Sequence, residues 1–214
     1  MLSQVGAEEI KRMLGGALAI IRVKSDELCL LDAAIGDGDH GITMLRAMEK
    51  MGKVIEAHPH AALSDLLGEI AWALMDIDGG ATGPLYGSLF LGLSEGVTGL
   101  DTLDGDAFAR MFEQGVVSIE QQTKARLGDK TLMDALIPAV DALRSSADQG
   151  KTIPELLEAA SLAAMQGAEA TRNFSARYGR AKYQGERTLG HPDPGSISMA
   201  YLFQGLQDGL NAGG

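Results

Sequence analysis

The chain has 214 residues, 45% of them hydrophobic, and a formal net charge of −11. That length supports one substantial core or at most two small domains, and the hydrophobic share suits an ordinary globule. So acidic a chain repels a phosphate backbone, which argues against nucleic-acid binding. The opening MLSQVGAEEIKRM carries charges where a signal peptide has its apolar run, and no apolar stretch approaches the ~20 residues that span a bilayer. Cys29 is the sole cysteine, which excludes an internal disulfide. A cytoplasmic protein away from the membrane is expected.

In chain order, Ile10, Met13, Leu14, Ala17, Ile20 and Ile21 share one face at helical spacing and predict a first helix. It ends near Asp32, before the loop AIGDGDHGIT, residues 34–43. Ile42, Leu45, Met48 and Ile55 then resume the helical period. Ser64 offers an N-cap to DLLGEIAWALM. Pro84 suits the first turn of a helix through GPLYGSLFLGLSEGV. DGDAFARMFEQGVVSIEQQ and KTLMDALIPAVDALRSSA read as two further helices. Thr152 with Glu155 makes a capping box, with Pro154 in the first turn of PELLEAASLAAMQGAEATRN. The segment from Phe174 to His191 is expected to be irregular. Asp193 then caps, and Pro194 opens, a last helix through PGSISMAYLFQGLQDGL. No segment alternates in the manner of a strand. The expectation is an all-α fold of about eight helices in one domain over residues 1–214. Many of the 28 glycines fall inside helical stretches, where each costs ~1 kcal/mol against Ala. Close helix contact and a ligand near the backbone are the two reasons to tolerate them.

The loop AIGDGDHGIT poses the first chemical question. Gly36, Gly38 and Gly41 spell G-x-G-x-x-G, but the flanks read as helices, whereas a dinucleotide turn follows a strand. Asp37 and Asp39 would also face a pyrophosphate unscreened, at ~1 kcal/mol per charge pair in water and ~4 in a semi-buried cleft. An EF-hand fails as well, with Gly41 at the fifth position and Met48 where a bidentate Glu is needed. A magnesium site remains: Asp32, Asp37 and Asp39 can supply carboxylates, and a metal so held can hold a phosphate in turn. His40 reads as a hydrogen-bonding loop residue. Asp residues that merely cap helices and end turns are the alternative.

Two further stretches bear on that choice. DGGATGPLYG, residues 78–87, places glycines and Thr82 directly before a helix, and a helix N-terminus with its unpaired N–H groups suits a phosphate. It lacks the Lys of a P-loop. Arg172, Arg177, Arg180, Lys182 and Arg187 form a basic cluster opposed only by Glu186. An Arg on such a loop can close over a phosphate, although charge runs are usually solvated surface.

LLDAAIGDGDHG, GGATGPLYG, LGDKTLMDALIPA and GRAKYQGERTLGHPDPG, together and in this order, resemble the nucleotide-binding (L) subunit of the dihydroxyacetone kinases, more closely the phosphotransferase-system-dependent type. The resemblance spans most of the chain. It implies an antiparallel eight-helix barrel with ADP or ATP and two Mg²⁺ ions at one end, the metals on Asp32, Asp37 and Asp39. Nucleotide contacts are implied at His40, Gly41, Ile42 and Thr43, at Gly80, Ala81 and Thr82, and at Arg180, Asp193, Pro194 and Gly195. Thr123 and Leu132 stand where the family has Gly and Met beside the adenine. Arg180 is the implied catalytic residue; the carboxylates serve as ligands rather than bases. The implied activity is phosphoryl transfer to a small ketose held by a separate K subunit, with bound ADP recharged by a phosphocarrier subunit of the phosphotransferase system. An ATP-exchanging two-subunit ketose kinase and an ADP-bound sensor contacting a transcriptional regulator are the alternatives. A homodimer is expected.

Overall fold

The computed structural model describes residues 2–78 and 80–213. Gly79 of the DGGATG stretch therefore lies outside the described residues. Eight α-helices account for most of the described chain: α1 (Ala7–Ala33), α2 (His40–Ala57), α3 (Leu63–Met75), α4 (Thr82–Gly96), α5 (Gly105–Glu120), α6 (Met133–Asp148), α7 (Ile153–Ala170) and α8 (Pro194–Asn211). Each packs against the next in sequence, and α8 packs back on α1. Consecutive helices joined by short connections run antiparallel, so the eight close into a ring.

The ring is filled by side chains. Leu14, Leu67, Phe90, Phe108, Leu136 and Phe203 are all buried inside it. Phe112 stacks obliquely between Phe108 and Phe203, with ring centroids 5.3 Å from each. The closing seam between α1 and α8 is made of small residues. A Cβ on Gly205 would lie 2.6 Å from the Ala17 nitrogen, and one on Gly16 would lie 2.7 Å from the Gly209 nitrogen. Close helix contact is thus the reason for these mid-helix glycines. No helix among the described residues is long and apolar enough to cross a membrane.

Several expected details hold. Thr152 and Glu155 form the capping box of α7, and Asp193 accepts a 2.7 Å hydrogen bond from the Ser196 N–H with Pro194 at the start of α8. Others need correction. Ser64 does not cap α3, which starts at Leu63 after Ala62; its carbonyl instead accepts from the Ser94 hydroxyl at 2.8 Å. The buried face of α2 is Met44, Ala47, Met48 and Met51, while Ile42 is 57% exposed. Two three-residue strands, β1 (Gln4–Gly6) and β2 (Thr102–Asp104), pair antiparallel with Val5 opposite Leu103, both buried. Three residues are too few for alternation to register in a sequence. The Phe174–His191 segment is not irregular throughout, since a 3₁₀ stretch runs from Arg180 to Thr188 with a break at Gly185.

Candidate functional site

An up-and-down ring sends every connection of one kind to one end. Here the loops after α1, α3, α5 and α7 meet, together with the N-termini of α2, α4, α6 and α8, around a cleft of about 370 Å³. That volume lies within the range of small-ligand sites. Each helix N-terminus brings unpaired N–H groups and about half a positive charge. Four of them aimed at one cleft offset the acidity of the chain locally.

The α1–α2 loop wraps around a carboxylate. Asp32 lies in the last turn of α1, and its Oδ2 accepts hydrogen bonds from the N–H groups of Gly38 (2.9 Å), Asp39 (3.0 Å) and His40 (3.2 Å). A Cβ on Gly36 would clash with the other carboxylate oxygen of Asp32, so a larger residue there would push that carboxylate out of its place in the turn. The loop carries Asp37 and Asp39 back to Asp32, and one oxygen from each of the three lies within 4.8 Å of the others. A compact set of hard oxygens fits a hard divalent cation such as Mg²⁺ and offers no soft ligand. Arg180 reaches across from the α7–α8 loop, where its Nη1 pairs with Asp37 Oδ2 and stands 3.8 Å from Asp39 Oδ2.

His40 faces the cleft floor, its Nε2 2.9 Å from the Ser198 hydroxyl. That hydroxyl also lies 3.2 Å from the Tyr86 phenol and donates to the Gly195 carbonyl at 2.9 Å. Burial pulls the His40 imidazole down to about 4, against a bond to the Pro194 backbone, so it is neutral near pH 7. Burial likewise pushes the Tyr86 phenol up. Thr43 lines the cleft as well, but Gly41 and Ile42 do not. A Cβ on Gly41 would clash with the Ser25 carbonyl and lie 2.8 Å from Cys29 Sγ, which makes it a contact between α1 and α2. Ile42 points away on the exposed face of α2.

Gly80, at φ +59°, and Ala81 and Thr82 line the wall formed by the start of α4. Thr123 and Leu132 lie on the α5–α6 wall, where Ala125 and Met133, together with Leu85 from α4, give the cleft an apolar side. Asp134 organises that loop from inside: Oδ1 accepts from the Gly128 N–H (2.6 Å) and Oδ2 from the Thr131 N–H (2.7 Å). Between them sits Lys130, 2% exposed and at φ +61°, donating to the carbonyls of Thr171 (2.6 Å) and His191 (2.5 Å). Asp193, Pro194 and Gly195 complete the wall. Burial pushes the Asp193 carboxyl up to about 7, opposed by the Ser196 N–H and the nearby Lys130.

Sequence reasoning missed Lys130, Tyr86 and Ser198. Lys130 had a signal: it sits inside the quoted LGDKTLMD, in which Thr131 and Asp134 have the spacing of a cap. Tyr86 and Ser198 had none, because they look like ordinary helix-face residues until α4 and α8 are brought together.

A ring that gathers four helix N-termini and three carboxylates around one cleft defines a class, an all-helical domain whose site has the chemistry to suit a phosphorylated ligand with a hard cation. Comparison with known proteins agrees. The DAK2 domain matches residues 34–208, and the chain belongs to that family. It is 36% identical over 187 residues to the PEP-dependent dihydroxyacetone kinase ADP-binding subunit DhaL of Escherichia coli K12, covering 87% of this chain and 89% of that protein. It is 37% identical over 176 residues to the PTS-dependent dihydroxyacetone kinase ADP-binding subunit DhaL of Lactococcus lactis, covering 82% and 83%. Among solved structures it resembles the dihydroxyacetone kinase of C. freundii in complex with AMP-PNP and Mg²⁺, with a TM-score of 0.73 and 26% identity. The match covers 97% of this chain, which spans 35% of that longer one.

Proposed function

We propose that this chain is the nucleotide-binding subunit of a dihydroxyacetone-type kinase, which passes a phosphoryl group from a Mg-nucleotide to a small ketose held by a separate K subunit. The observation that carries the reading is the carboxylate set Asp32, Asp37 and Asp39 facing the N-termini of α2, α4, α6 and α8 across one cleft. In this reading those three residues hold two Mg²⁺ ions. Held by Asp32, Asp37 and Asp39, Mg²⁺ would supply positive charge to offset the negative charge developing on the transferring phosphoryl group.

The protein's own part is positioning and electrostatics. The starts of α4 and α8 present N–H groups to phosphate through Ala81, Thr82 and Gly195, while His40, Thr43, Asp193 and Pro194 shape the same end of the cleft. Thr123 and Leu132, on the apolar wall, lie beside the base. His40, being neutral, acts as a hydrogen-bonding group rather than a charge. Arg180 adds a permanent positive charge beside the carboxylates and is the residue assigned to the transition state. No side chain is required as a nucleophile, because the acceptor hydroxyl belongs to the ketose on the partner.

The phosphate source in this proposal is a phosphocarrier subunit of the phosphotransferase system that recharges ADP in place. The near full-length similarity to proteins named as PEP- or PTS-dependent ADP-binding subunits supports it. The test is to purify the protein without added nucleotide, pass it over a sizing column, denature it and quantify adenine nucleotide. Near-stoichiometric ADP is expected. A nucleotide-free protein that turns over free ATP with a K subunit would overturn the coenzyme reading and establish the ATP-exchanging one.

A further inference from the structure

We infer that Lys130 is a positioning residue that clamps both ends of the Phe174–His191 excursion and so sets the reach of Arg180 over the cleft. The chain leaves the ring after α7 through a 3₁₀ turn at Thr171–Asn173 and returns at His191. The Lys130 ammonium donates to the Thr171 carbonyl on the outgoing strand of the chain and to the His191 carbonyl on the returning one. One side chain from a third loop thereby joins the two feet of the excursion.

Neighbouring bonds close the same stem. Gly190 N–H donates to the Arg172 carbonyl at 2.8 Å, and Arg172 Nη1 donates to the Gly190 carbonyl at 3.1 Å. The Asp193 N–H donates to the Thr171 hydroxyl at 2.8 Å, which links the stem to the first turn of α8. The residue beside Lys130 grips the excursion further out: Asp129 Oδ1 pairs with Arg177 Nη1 at 3.1 Å, and the Asp129 carbonyl accepts from the Arg177 N–H at 3.2 Å. Inside the excursion, the buried Thr188 hydroxyl accepts from the Ala176 N–H at 3.0 Å and donates to the Gly185 carbonyl at 2.8 Å. Arg180 stands at the tip of this braced structure.

The backbone of Lys130 makes the side chain's role legible. At φ +61° it is the one non-glycine residue in the left-handed region among those described. Glycine adopts that conformation freely. A lysine held there, with its ammonium buried, has to be compensated by bonds that glycine cannot make. The two carbonyls supply them, while burial and, less, Arg172 disfavour the charge and Asp193 and Asp134 partly offset them.

The inference rests on the proposed role of Arg180, so its test separates the two. Lys130→Gly and Lys130→Met are made in the full chain. The first readout is hydrogen exchange in the free protein at the bonded amides of Ala176, Arg177, Leu189 and Gly190. Both variants are expected to exchange there at least about 10-fold faster, with the rest of the ring unchanged. The second readout is turnover with a K subunit, where kcat is expected to fall by about 10-fold or more in both while KM for the ketose holds. Lys130→Gly retains the backbone conformation and keeps the test decisive if Lys130→Met fails to fold. Wild-type exchange and turnover in Lys130→Gly would overturn the inference, since the backbone alone would then suffice. Should the wild type fail to bind MgADP, the proposed function falls, while the exchange data still decide whether Lys130 clamps the excursion.

Discussion

Replacing Asp39 with Asn should leave the stability of the free protein nearly unchanged and remove most of what Mg-nucleotide adds to it. Asp39, Asp37 and Asp32 bring carboxylate oxygens within 4.8 Å of one another. The Asp39 side chain is 55% exposed, so a water-like dielectric applies and each pair costs at least about 0.9 kcal/mol. Neutralising Asp39 removes two such pairs, about 1.7 kcal/mol, and forfeits its attraction to Arg180 at 3.8 Å, about 1.1 kcal/mol on the same scale. Asp39 makes no side-chain cap bond to α2, so no helix cap is lost. The change also forfeits about 0.3–1 kcal/mol of attraction to the α2 N-terminus, where Asp39 stands, so the net is near zero, within ~1–2 °C in Tm for a chain of this size. With MgADP at a hundredfold over Kd, the wild type gains ~2.7 kcal/mol, ~5–11 °C, whereas the variant gains far less. Thermal melts with Mg²⁺ alone, MgADP, and ADP with excess chelator read both arms. An equal MgADP shift in wild type and variant would refute the metal reading. A ligand-free variant that melts several degrees below wild type would refute the electrostatic account of the loop.

Three other expectations follow from particular contacts. The Asp193 carboxyl, raised to about 7, contributes stability that is complete below its unfolded value and is lost as pH rises through about 7; His40, depressed to about 4, contributes stability that is lost as pH falls from about 6.5 towards 4. Asp193→Asn keeps an N-cap acceptor, so denaturant titrations should show the variant at or above wild type at pH 7.5 while the acid-side loss from His40 persists; a variant with unaltered pH dependence would contradict the Asp193 assignment. Gly205→Ala should cost ~1–3 kcal/mol by forcing a Cβ against Ala17, whereas Gly15→Ala, with nothing within 4 Å of the new Cβ, should gain ~0.5–1 kcal/mol; equal melts would mean that the α1–α8 seam is not close-packed. Arg180→Ala, at a side chain 61% exposed, should lower turnover with a K subunit by about 10²-fold or more with little change in Tm, and full activity would remove Arg180 from the reaction.

Much of this protein was written locally in its sequence. Eight apolar stretches at helical spacing located the eight helices, and the Thr152–Glu155 box and the Asp193–Pro194 start marked where α7 and α8 begin, because caps and periodicity act within a few residues. The glycine-spaced aspartates likewise announced a loop able to fold back on Asp32. Tertiary structure decided the rest. Periodicity placed Ile42, Leu45, Met48 and Ile55 inward; the ring buries Met48 and packs Leu45 and Ile55 against the edge of the core, but leaves Ile42 57% exposed and buries Met44 and Met51 as well. Gly41, expected at the ligand, is where α1 and α2 touch. Lys130 can be buried because the stem of a later loop offers its ammonium two carbonyls, 41 and 61 residues further along the chain. Short-range preferences set the elements and even the composition of each loop. Which loops meet, and which charged groups are taken out of water when they do, is settled only when α8 closes on α1, since burial and electrostatic partners depend on distances that no single segment contains.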